Sequence, residues 1–242
     1  MDYKDQLIVV TGSSSGIGKA CSELLLEKEV EVIGLDTSKS TINHNQYHHF
    51  VVDIKDEKSV SSIMEQVVSS YGQIYGLANC AGIYGNCKPF FEITLSEWEQ
   101  VLSTNLTGLF IISKYVVQKM IPYKMGKIVN ISCVRSRIFR ENMADYAATK
   151  AGVVALTSAM ALDLKNHNIQ VNSVAPGFTY TGMTSKSFDD QEIKKFSESI
   201  IPVGKIAQPE DIAKVVLFLL SDMADYINGE TIFADGGFKI SK

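Results

Sequence analysis

The chain alternates short apolar runs with longer segments of helical periodicity from one end to the other. Runs such as residues 7–10 and 32–35 are apolar on both faces, which is typical of strands covered by helices on both sides of a sheet. This alternation predicts an α/β fold with a mostly parallel, doubly wound sheet and right-handed crossovers. The predicted strands are residues 7–10, 32–35, 50–52, 76–79, 127–132, 171–175 and 230–234, and the predicted helices are residues 17–28, 57–71, 96–120, 144–165 and 210–221.

The domain organisation follows from the same pattern. No repeat, low-complexity tract or linker interrupts the alternation, so residues 1–242 are predicted to form a single nucleotide-binding domain. The segment 181–205 is the least core-like part of the chain, because it is polar, weakly helical in pattern and ends near Pro202 and Gly204. We expect this segment to form a mobile flap on the substrate side.

Composition excludes several classes of protein. Hydrophobic residues make up 45% of the chain, which excludes a disordered or fibrous protein. A net charge of −4 argues against a nucleic-acid surface. The longest apolar runs, such as residues 215–220, are too short to span a bilayer, and the charged stretch MDYKDQ does not resemble a signal peptide. We therefore expect a cytoplasmic protein with neither nucleic-acid nor membrane partners.

Neither the cysteines nor the histidines have the spacing of a metal site. Cys21, Cys80, Cys87 and Cys133 form no CxxC pair, and isolated cysteines in a cytoplasmic chain are usually small core residues. The stretch NHNQYHHF, residues 43–50, has no acidic or cysteine partner at helical spacing. We therefore predict no metal ion.

A glycine-rich turn follows the first predicted strand. Gly12, Gly16 and Gly18 stand in the stretch VVTGSSSGIGKA, where Ser14 or Ser15 can cap the helix that follows. Glycine permits a tight turn and close backbone approach, and the free N–H groups of a helix N-terminus suit a diphosphate. The spacing Gly-x3-Gly-x-Gly differs from both the Gly-x-Gly-x-x-Gly fingerprint and the P-loop. Taken alone, these glycines could also form an ordinary turn that binds no ligand.

Two carboxylates follow the second and third predicted strands. Asp36 lies about twenty residues past the glycine turn, where a carboxylate can accept hydrogen bonds from a ribose diol. Because Asp36 would repel a 2′-phosphate, it favours NAD over NADP as the cofactor. Asp53 is a candidate partner for the adenine amino group. Aspartate is also a common turn residue at strand ends, so only the joint occurrence of these features supports a cofactor site.

Six motifs occur along the chain in order: Gly12-x3-Gly16-Ile17-Gly18, NCAG at 79–82, Asn105, Tyr146-x3-Lys150, Pro176-Gly177, and DGG at 235–237. In this order and spacing the chain resembles the short-chain dehydrogenase/reductase family over essentially its whole length. The resemblance implies a seven-stranded Rossmann-type sheet, a nicotinamide cofactor and the family's usual homotetramer. Two departures are mild: Cys80 replaces the second Asn of the usual NNAG, and Tyr75 stands where an Asp is common.

The resemblance also implies which residues contact the cofactor. Thr181 would contact the nicotinamide carboxamide, and the backbone of Thr179 would bind the same group. The NCAG stretch would lie along the adenosine side of the cofactor. The full implied set is Gly12, Ser14, Ser15, Gly16, Ile17, Gly18, Asp36, Asp53, Ile54, Asn79, Ala81, Gly82, Tyr146, Lys150, Pro176, Gly177, Thr179 and Thr181.

The Tyr-Lys motif predicts acid–base chemistry. Tyr146 and Lys150 are four residues apart on a predicted helix, so they lie on one face and one turn apart. Free tyrosine ionises near pH ~10, and a neighbouring ammonium stabilises the phenolate. We therefore expect a lowered pKa for Tyr146, which would exchange a proton with the substrate oxygen. Asn105 would hold a water that relays protons to Lys150. Without the other motifs, the same pair would be interpreted as part of an ordinary amphipathic helix with no catalytic role.

The family's catalytic serine is replaced in this chain. In the family that serine stands thirteen residues before the tyrosine and bonds the substrate oxygen, and the matching residue here is Cys133. A thiol resembles a hydroxyl in shape but is a weaker hydrogen-bond donor. Three interpretations stay open: Cys133 works in place of serine, a shifted loop lets Ser132 or Ser136 serve, or the protein is a nucleotide-binding scaffold or sensor with little activity.

Three arginines lie in the loop before the tyrosine, at Arg135, Arg137 and Arg140. Guanidinium groups suit carboxylates and phosphates, so these residues suggest an anionic substrate or one carried on an acidic partner. Ser132, Arg135 and Arg140 are the candidate substrate contacts. The alternative is that the arginines bind neighbouring subunits or the nearby Glu141 and Asp145.

The features together predict an NAD-dependent oxidoreductase that interconverts a secondary alcohol and a carbonyl compound, with Asn105, Cys133, Tyr146 and Lys150 as its catalytic residues. The alternative within the enzyme class is a reductase of 3-oxoacyl groups on an acyl carrier protein. Asp36 counts against that alternative, because the resemblance implies that those reductases mostly use NADPH.

Overall fold

The computed structural model describes Tyr3 and residues 6–241, and its strands form one seven-stranded parallel sheet. In chain order the strands are β1 (Leu7–Thr11), β2 (Glu31–Asp36), β3 (Tyr47–Val51), β4 (Ile74–Asn79), β5 (Gly126–Ile131), β6 (Ile169–Pro176) and β7 (Thr231–Ala234). They lie in the order β3-β2-β1-β4-β5-β6-β7, so the direction of winding reverses between β1 and β4. The predicted doubly wound, Rossmann-type α/β sheet is therefore confirmed.

Helices cover both faces of this sheet. They are α1 (Gly16–Leu26), α2 (Glu57–Tyr71), α3 (Leu95–Leu102), α4 (Leu109–Met120), α5 (Ala144–Asp163), α6 (Ser185–Phe188), α7 (Gln191–Ser199) and α8 (Pro209–Leu220). Ile8 and Val10 of β1 pack with α1 and α8, whereas Val9 packs with α2 and α4. Successive strand residues are thus buried in opposite layers, which explains why the strands are apolar on both faces.

The predicted position of the third strand is wrong. β3 begins at Tyr47, three residues before the predicted start at residue 50. Polar side chains hide this strand in the sequence, because His48 pairs with Glu31 of the adjacent β2 and stacks on Tyr71. Part of the stretch that was expected to be a polar connection is therefore an edge strand.

The predicted helix 96–120 is two α-helices, α3 and α4, separated by a π-helical segment over Ser103–Gly108. The chain approaches its neighbour closely here, since a Cβ on Gly108 would lie 2.8 Å from Cγ1 of Ile54. Interruptions of this kind occur frequently at functional sites. The segment carries Asn105.

The segment 181–205 is more helical than predicted, because α6 and α7 lie within it. Asp190 caps α7 by accepting hydrogen bonds from the backbone N–H groups of the first turn. Phe188 packs with Ile201, Ile206 and Phe178 in a small apolar cluster that attaches the segment to the sheet. The mobility of this flap stays a prediction.

Across the part of the chain that the structure describes, every helix falls short of the length and apolar character that a membrane crossing requires.

Candidate active site

A cleft of about 480 Å³ lies at the carboxyl ends of the strands, bordered by the loops after β1, β2, β3, β4, β5 and β6. In open α/β sheets, ligands bind at this edge, next to the point where the strand order reverses. Most residues that were predicted to contact the cofactor line this cleft, namely Gly12, Ser15, Gly16, Ile17, Gly18, Asp36, Asp53, Ile54, Ala81, Gly82, Tyr146, Lys150, Pro176, Gly177, Thr179 and Thr181.

The glycine turn brings the N-terminus of α1 to the cleft. Gly12 and Gly16 have φ angles of +66° and +52°, in the left-handed region that glycine adopts without strain. A Cβ on Gly18 would lie 2.3 Å from the carbonyl oxygen of Gly12, so the helix packs directly on the turn. Ser15 occupies the N-cap position, but its side chain accepts none of the first-turn N–H groups. Those groups suit a diphosphate, so the residues present fit a nicotinamide dinucleotide.

Asp36 and Asp53 border the cleft beyond the glycine turn. The two oxygens of Asp36 accept the backbone N–H groups of Ser38 and Ser14, at 2.9 and 3.0 Å. Asp53 accepts the backbone N–H of Lys55 at 2.9 Å. The lysine and arginine side chains that line the cleft are Arg135, Arg140 and Lys150, none of which follows these strands. No cation in the described wall therefore stands beside Asp36 to hold a 2′-phosphate.

Two predicted cofactor residues, Ser14 and Asn79, do not line the cleft. Ser14 donates its hydroxyl to the carbonyl oxygen of Ser38 at 3.0 Å. Asn79 is buried and donates its side-chain amide to Ser113 of α4 and to Asn130 of the adjacent β5, at 2.9 and 2.8 Å. Both residues therefore hold neighbouring backbone and side chains in place.

Sequence analysis missed a hydrogen-bonded group beneath the Asp36 turn. The Tyr47 hydroxyl lies 3.0 Å from Oγ of buried Ser13 and 3.1 Å from Nδ1 of His49, whose Nε2 lies 2.9 Å from the Ser38 carbonyl oxygen. The tyrosine fits because its neighbour is Gly34, where a Cβ would lie 2.2 Å from the Tyr47 hydroxyl oxygen. The only signal in the sequence was the alternation of Tyr47 and His49, which becomes visible once β3 is known.

The wall after β6 is held together by Thr184. Its hydroxyl donates to the carbonyl oxygen of Thr179 at 2.6 Å and accepts the backbone N–H of Thr181 at 2.9 Å. Gly177 packs against the backbone of Asp235, since a Cβ there would lie 2.7 Å from the Asp235 Cα. The DGG motif thus supports this wall from behind.

Tyr146 and Lys150 project from α5 into the cleft one turn apart. The Lys150 Nζ donates to the carbonyl oxygen of Ile131 at 2.9 Å and lies 5.6 Å from the centre of the Tyr146 ring. The Tyr84 ring packs against the Tyr146 ring, with 5.3 Å between their centres. Both members of the predicted acid–base pair therefore face one site.

Burial raises the pKa of Tyr146 well above its ordinary value of 10.0, Cys133 acts in the same direction, and Arg135 opposes it. The expected net lowering of the Tyr146 pKa is wrong in this structure, because Tyr146 is only 7% exposed and desolvation of the phenolate outweighs the positive charge nearby. Burial also lowers the pKa of Lys150 to about 8. At neutral pH, Tyr146 is therefore a neutral proton donor, and Lys150 loses its charge as the pH rises through about 8.

Of Ser132, Cys133 and Ser136, it is Cys133 whose side chain faces the Tyr146 phenol in the cleft. It lies beside Tyr146 and close enough for a hydrogen bond to the phenol. The Ser132 hydroxyl borders the cleft but donates to the carbonyl oxygen of Lys150 at 2.9 Å. The Ser136 hydroxyl donates to the carbonyl oxygen of Cys133 at 2.7 Å and lies behind the wall. Of the three interpretations, this geometry favours Cys133 in the position of the serine.

Asn105 is fully buried, and its side chain does not line the cleft. Its amide accepts the backbone N–H of Ile83 at 2.8 Å and donates to the Ile83 carbonyl oxygen at 2.9 Å. Gly82 lies between this amide and Lys150, since a Cβ there would be 3.1 Å from Asn105 Oδ1 and 3.6 Å from Lys150 Nζ. The side chain thus clamps the loop after β4, and a water relay from it stays a prediction.

The arginines of the loop before α5 separate into two groups. Half-buried Arg135 and exposed Arg140 line the cleft, whereas Arg137, which is also exposed, lies outside it. The sequence could not distinguish them, because the loop contains a short helical turn at Val134–Ser136 that no periodic pattern predicts.

The chain is similar to known proteins over its whole length. A family model described as enoyl-(acyl carrier protein) reductase matches residues 12–239. A 3-oxoacyl-(acyl-carrier-protein) reductase of Thermotoga maritima is 35% identical, covering 99% of this chain and 100% of that protein. Among solved structures, the aldohexose dehydrogenase of Thermoplasma acidophilum superposes with a TM-score of 0.93 at 28% identity, over 99% of this chain and 96% of that one. A structure titled ElxO with NADP bound superposes with a TM-score of 0.91 at 26% identity, over 98% and 99% of the two chains.

Proposed function

The chain belongs to the short-chain dehydrogenase/reductase family and is an oxidoreductase of alcohol and carbonyl groups; we propose that it uses NAD and acts on a secondary alcohol or the corresponding ketone. The observation that carries the proposal is the meeting of three side chains in one cleft. Cys133, Tyr146 and Lys150 all face the space that begins at the uncapped N-terminus of α1. A proton donor, a hydrogen-bond donor and an ammonium thus lie where a dinucleotide and a small substrate fit together.

The cofactor, when bound, supplies hydride transfer to or from the substrate carbon. Tyr146 holds the proton that a carbonyl oxygen receives in reduction and takes it back in oxidation. The Cys133 thiol hydrogen-bonds the same oxygen and orients it toward the phenol. Lys150 supplies positive charge beneath the ring, which stabilises the phenolate while the proton is away. The first turn of α1 and the Asp36 turn hold the dinucleotide.

We propose NAD instead of NADP because of Asp36 and the charges around it. A carboxylate at the end of β2 suits a ribose diol and repels a 2′-phosphate, and the described cleft wall offers no cation beside it. The relative with NADP bound and the similarity to acyl-carrier-protein reductases favour the second candidate, an NADPH-dependent 3-oxoacyl reductase.

A cofactor-resolved turnover screen tests the two candidates. Purified protein is offered NAD(H) or NADP(H) with secondary alcohols, sugar alcohols, hydroxy acids, ketones and a short 3-oxoacyl thioester. The proposal expects turnover with NAD(H) and a higher kcat/KM than with NADP(H) for the same substrate. Turnover confined to NADPH and the thioester would replace the proposal with the second candidate.

Exchanging Asp36 for Ala should reverse the cofactor preference. We expect the ratio of kcat/KM with NAD to kcat/KM with NADP to fall about 100-fold, because the variant loses charged hydrogen bonds to the ribose and no longer repels a phosphate. Steady-state kinetics with both cofactors measure this ratio. Asp53→Asn is the matched control, since it borders the same cleft beyond β3 and should affect both cofactors alike. An unchanged ratio in Asp36→Ala would contradict the assignment.

Exchanging Cys133 for Ser should raise kcat for ketone reduction by about 2- to 10-fold, because a hydroxyl is a stronger hydrogen-bond donor than a thiol. Cys133→Ala should lower kcat by a similar factor. Ser136→Ala is the control, because its hydroxyl bonds the Cys133 carbonyl oxygen outside the cleft. A loss in Ser132→Ala as large as that in Cys133→Ala, with an intact melting temperature, would assign the role to Ser132.

We extend the proposal to a cytoplasmic homotetramer, as the family resemblance implies. The single chain exposes Leu95 on α3, Phe110 on α4 and Leu162 on α5, with exposed fractions of 71%, 50% and 69%. Apolar side chains exposed on three helices favour a surface that further copies of the chain cover. Light scattering of the purified protein gives its mass, and a monomer at micromolar concentration would refute this extension.

A further inference from the structure

The two arginines in the cleft face the catalytic group. The charge of Arg135 acts on Tyr84, Cys133, Arg140 and Tyr146, so its guanidinium lies among the side chains that surround the reacting position. Arg140 lines the same end of the cleft and acts on Tyr84 and Cys87. Two positive charges therefore lie at this end of the cleft, and that of Arg135 acts on Tyr146 and Cys133.

Neither guanidinium has an acidic partner among the described residues, where the ion pairs involve only lysines and a histidine. Arg135 donates one hydrogen bond, from Nη1 to the carbonyl oxygen of Ile138 at 3.3 Å. Burial lowers its pKa, and the nearby Arg140 acts in the same direction. A half-buried charge without a counterion is unfavourable, which is expected where an anionic ligand supplies the counterion.

Two acidic residues lie close in sequence: Glu141 forms no ion pair with either arginine among the described residues, and Asp145 is already engaged. One of its oxygens accepts the backbone N–H of Tyr146 at 2.7 Å, and the other accepts both the backbone N–H and the side-chain amide of Asn86, at 2.9 and 2.8 Å. The carboxylates that line the cleft are Asp36 and Asp53, which follow β2 and β3. These carboxylates are therefore separated from the two arginines, which follow β5, and Asp53 is paired with Lys55 at 3.4 Å.

We propose that Arg135 and Arg140 bind a carboxylate of the substrate, so that the enzyme acts on small hydroxy acids and the corresponding oxo acids. This inference rests on the proposed function, because it places the reacting carbon beside Tyr146 and Cys133. A carboxylate is favoured because a planar guanidinium pairs with it through two parallel hydrogen bonds. A carboxylate close to the reacting carbon would also allow a small substrate to contact the arginines and the catalytic phenol simultaneously.

The test compares acids with their uncharged amides. Mandelate, lactate and 3-hydroxybutyrate are each paired with the carboxamide, and both turnover with NAD and binding by calorimetry in the presence of NAD are measured. The wild type should prefer the acid of at least one pair. Arg135→Gln and Arg140→Gln should each lower kcat/KM and affinity for that acid by about 10- to 100-fold, because a charged hydrogen bond is lost. The kcat/KM and affinity for the matching amide should change by less than about 2-fold.

Arg137→Gln is the matched control, because it removes the same charge from the same loop outside the cleft. It should leave acid and amide unchanged. Two further arms identify other anions: glycerol 3-phosphate against glycerol, and a 3-oxobutyryl thioester offered free or on an acyl carrier protein. If Arg135→Gln lowered kcat/KM only for glycerol 3-phosphate, or only for the thioester on the acyl carrier protein, the carboxylate assignment would be overturned.

Failure of this inference differs from failure of the proposed function. Equal turnover of acids and amides with NAD would overturn the anion site and leave the oxidoreductase assignment intact. A fall in kcat for acid and amide alike in Arg135→Gln, with a shifted pH profile, would mean that Arg135 acts on the Tyr146 proton and binds no carboxylate. Absence of turnover throughout the wider screen would instead overturn the proposed function.

Discussion

Replacing Tyr146 with Phe is expected to lower kcat by about 10³-fold while the protein stays folded and still binds NAD. The change removes one hydroxyl, and with it the proton that the substrate oxygen receives. The ring remains, so its packing against Tyr84 and above Lys150 is preserved. Steady-state kinetics measure the loss, and calorimetry with NAD measures cofactor affinity.

Tyr84→Phe is the control for this prediction. Its ring lies 5.3 Å from the Tyr146 ring in the same cleft, but its hydroxyl contacts Met143 Sδ at 3.8 Å. We expect kcat to change by less than about 3-fold, because no catalytic proton is lost. If Tyr146→Phe kept more than a tenth of the wild-type kcat, another group would have to supply the proton.

Replacing Gly18 with Ala is expected to abolish cofactor binding and to destabilise the fold. The new methyl would lie 2.3 Å from the carbonyl oxygen and 2.7 Å from the carbonyl carbon of Gly12, and backbone atoms cannot rotate away. The turn must therefore separate from α1, which displaces the N–H groups that suit a diphosphate. We expect at least a 100-fold rise in the Kd for NAD, and a loss of about 1–3 kcal/mol from the free energy of unfolding.

Gly182→Ala is the matched control, since Gly182 also lines the cleft but a Cβ there would meet no atom within 4 Å. Its melting temperature and its affinity for NAD should equal those of the wild type. Thermal denaturation and calorimetric titration of both variants measure the difference. A Gly18→Ala protein that melted and bound NAD normally would show that helix and turn are not in close contact.

Much of the fold was predictable because its elements are defined by local periodicity. α2 begins and ends at the predicted residues 57 and 71, and each of the seven predicted strands exists in the predicted order. The errors lie where side chains do not follow the apolar pattern. β3 was predicted too short because His48 and His49 have polar partners outside the strand. The π-helical break around Asn105 ends at Gly108, which packs closely against Ile54, and no local propensity indicated it.

The candidate site was predictable to the extent that its residues lie in spaced motifs. The spacing of Tyr146 and Lys150 places both on one helix face, and the structure has both in the cleft. The motif residues Ser14, Asn79 and Asn105 were predicted from position alone, and their side chains bond neighbouring groups outside the cleft. Position along the chain locates a backbone segment, whereas the direction of each side chain depends on what packs around it.

The sequence by itself determined the alternation of strands and helices, the glycine turn before α1 and the shared helix face of Tyr146 and Lys150, because each depends on residues close together in the chain. Tertiary structure alone decided that Cys133 faces the cleft while Ser132 and Ser136 bond backbone. It also decided which arginines line the cleft, and that burial raises the pKa of Tyr146. These outcomes depend on desolvation and on contacts between segments far apart in sequence, which no local pattern of residues specifies.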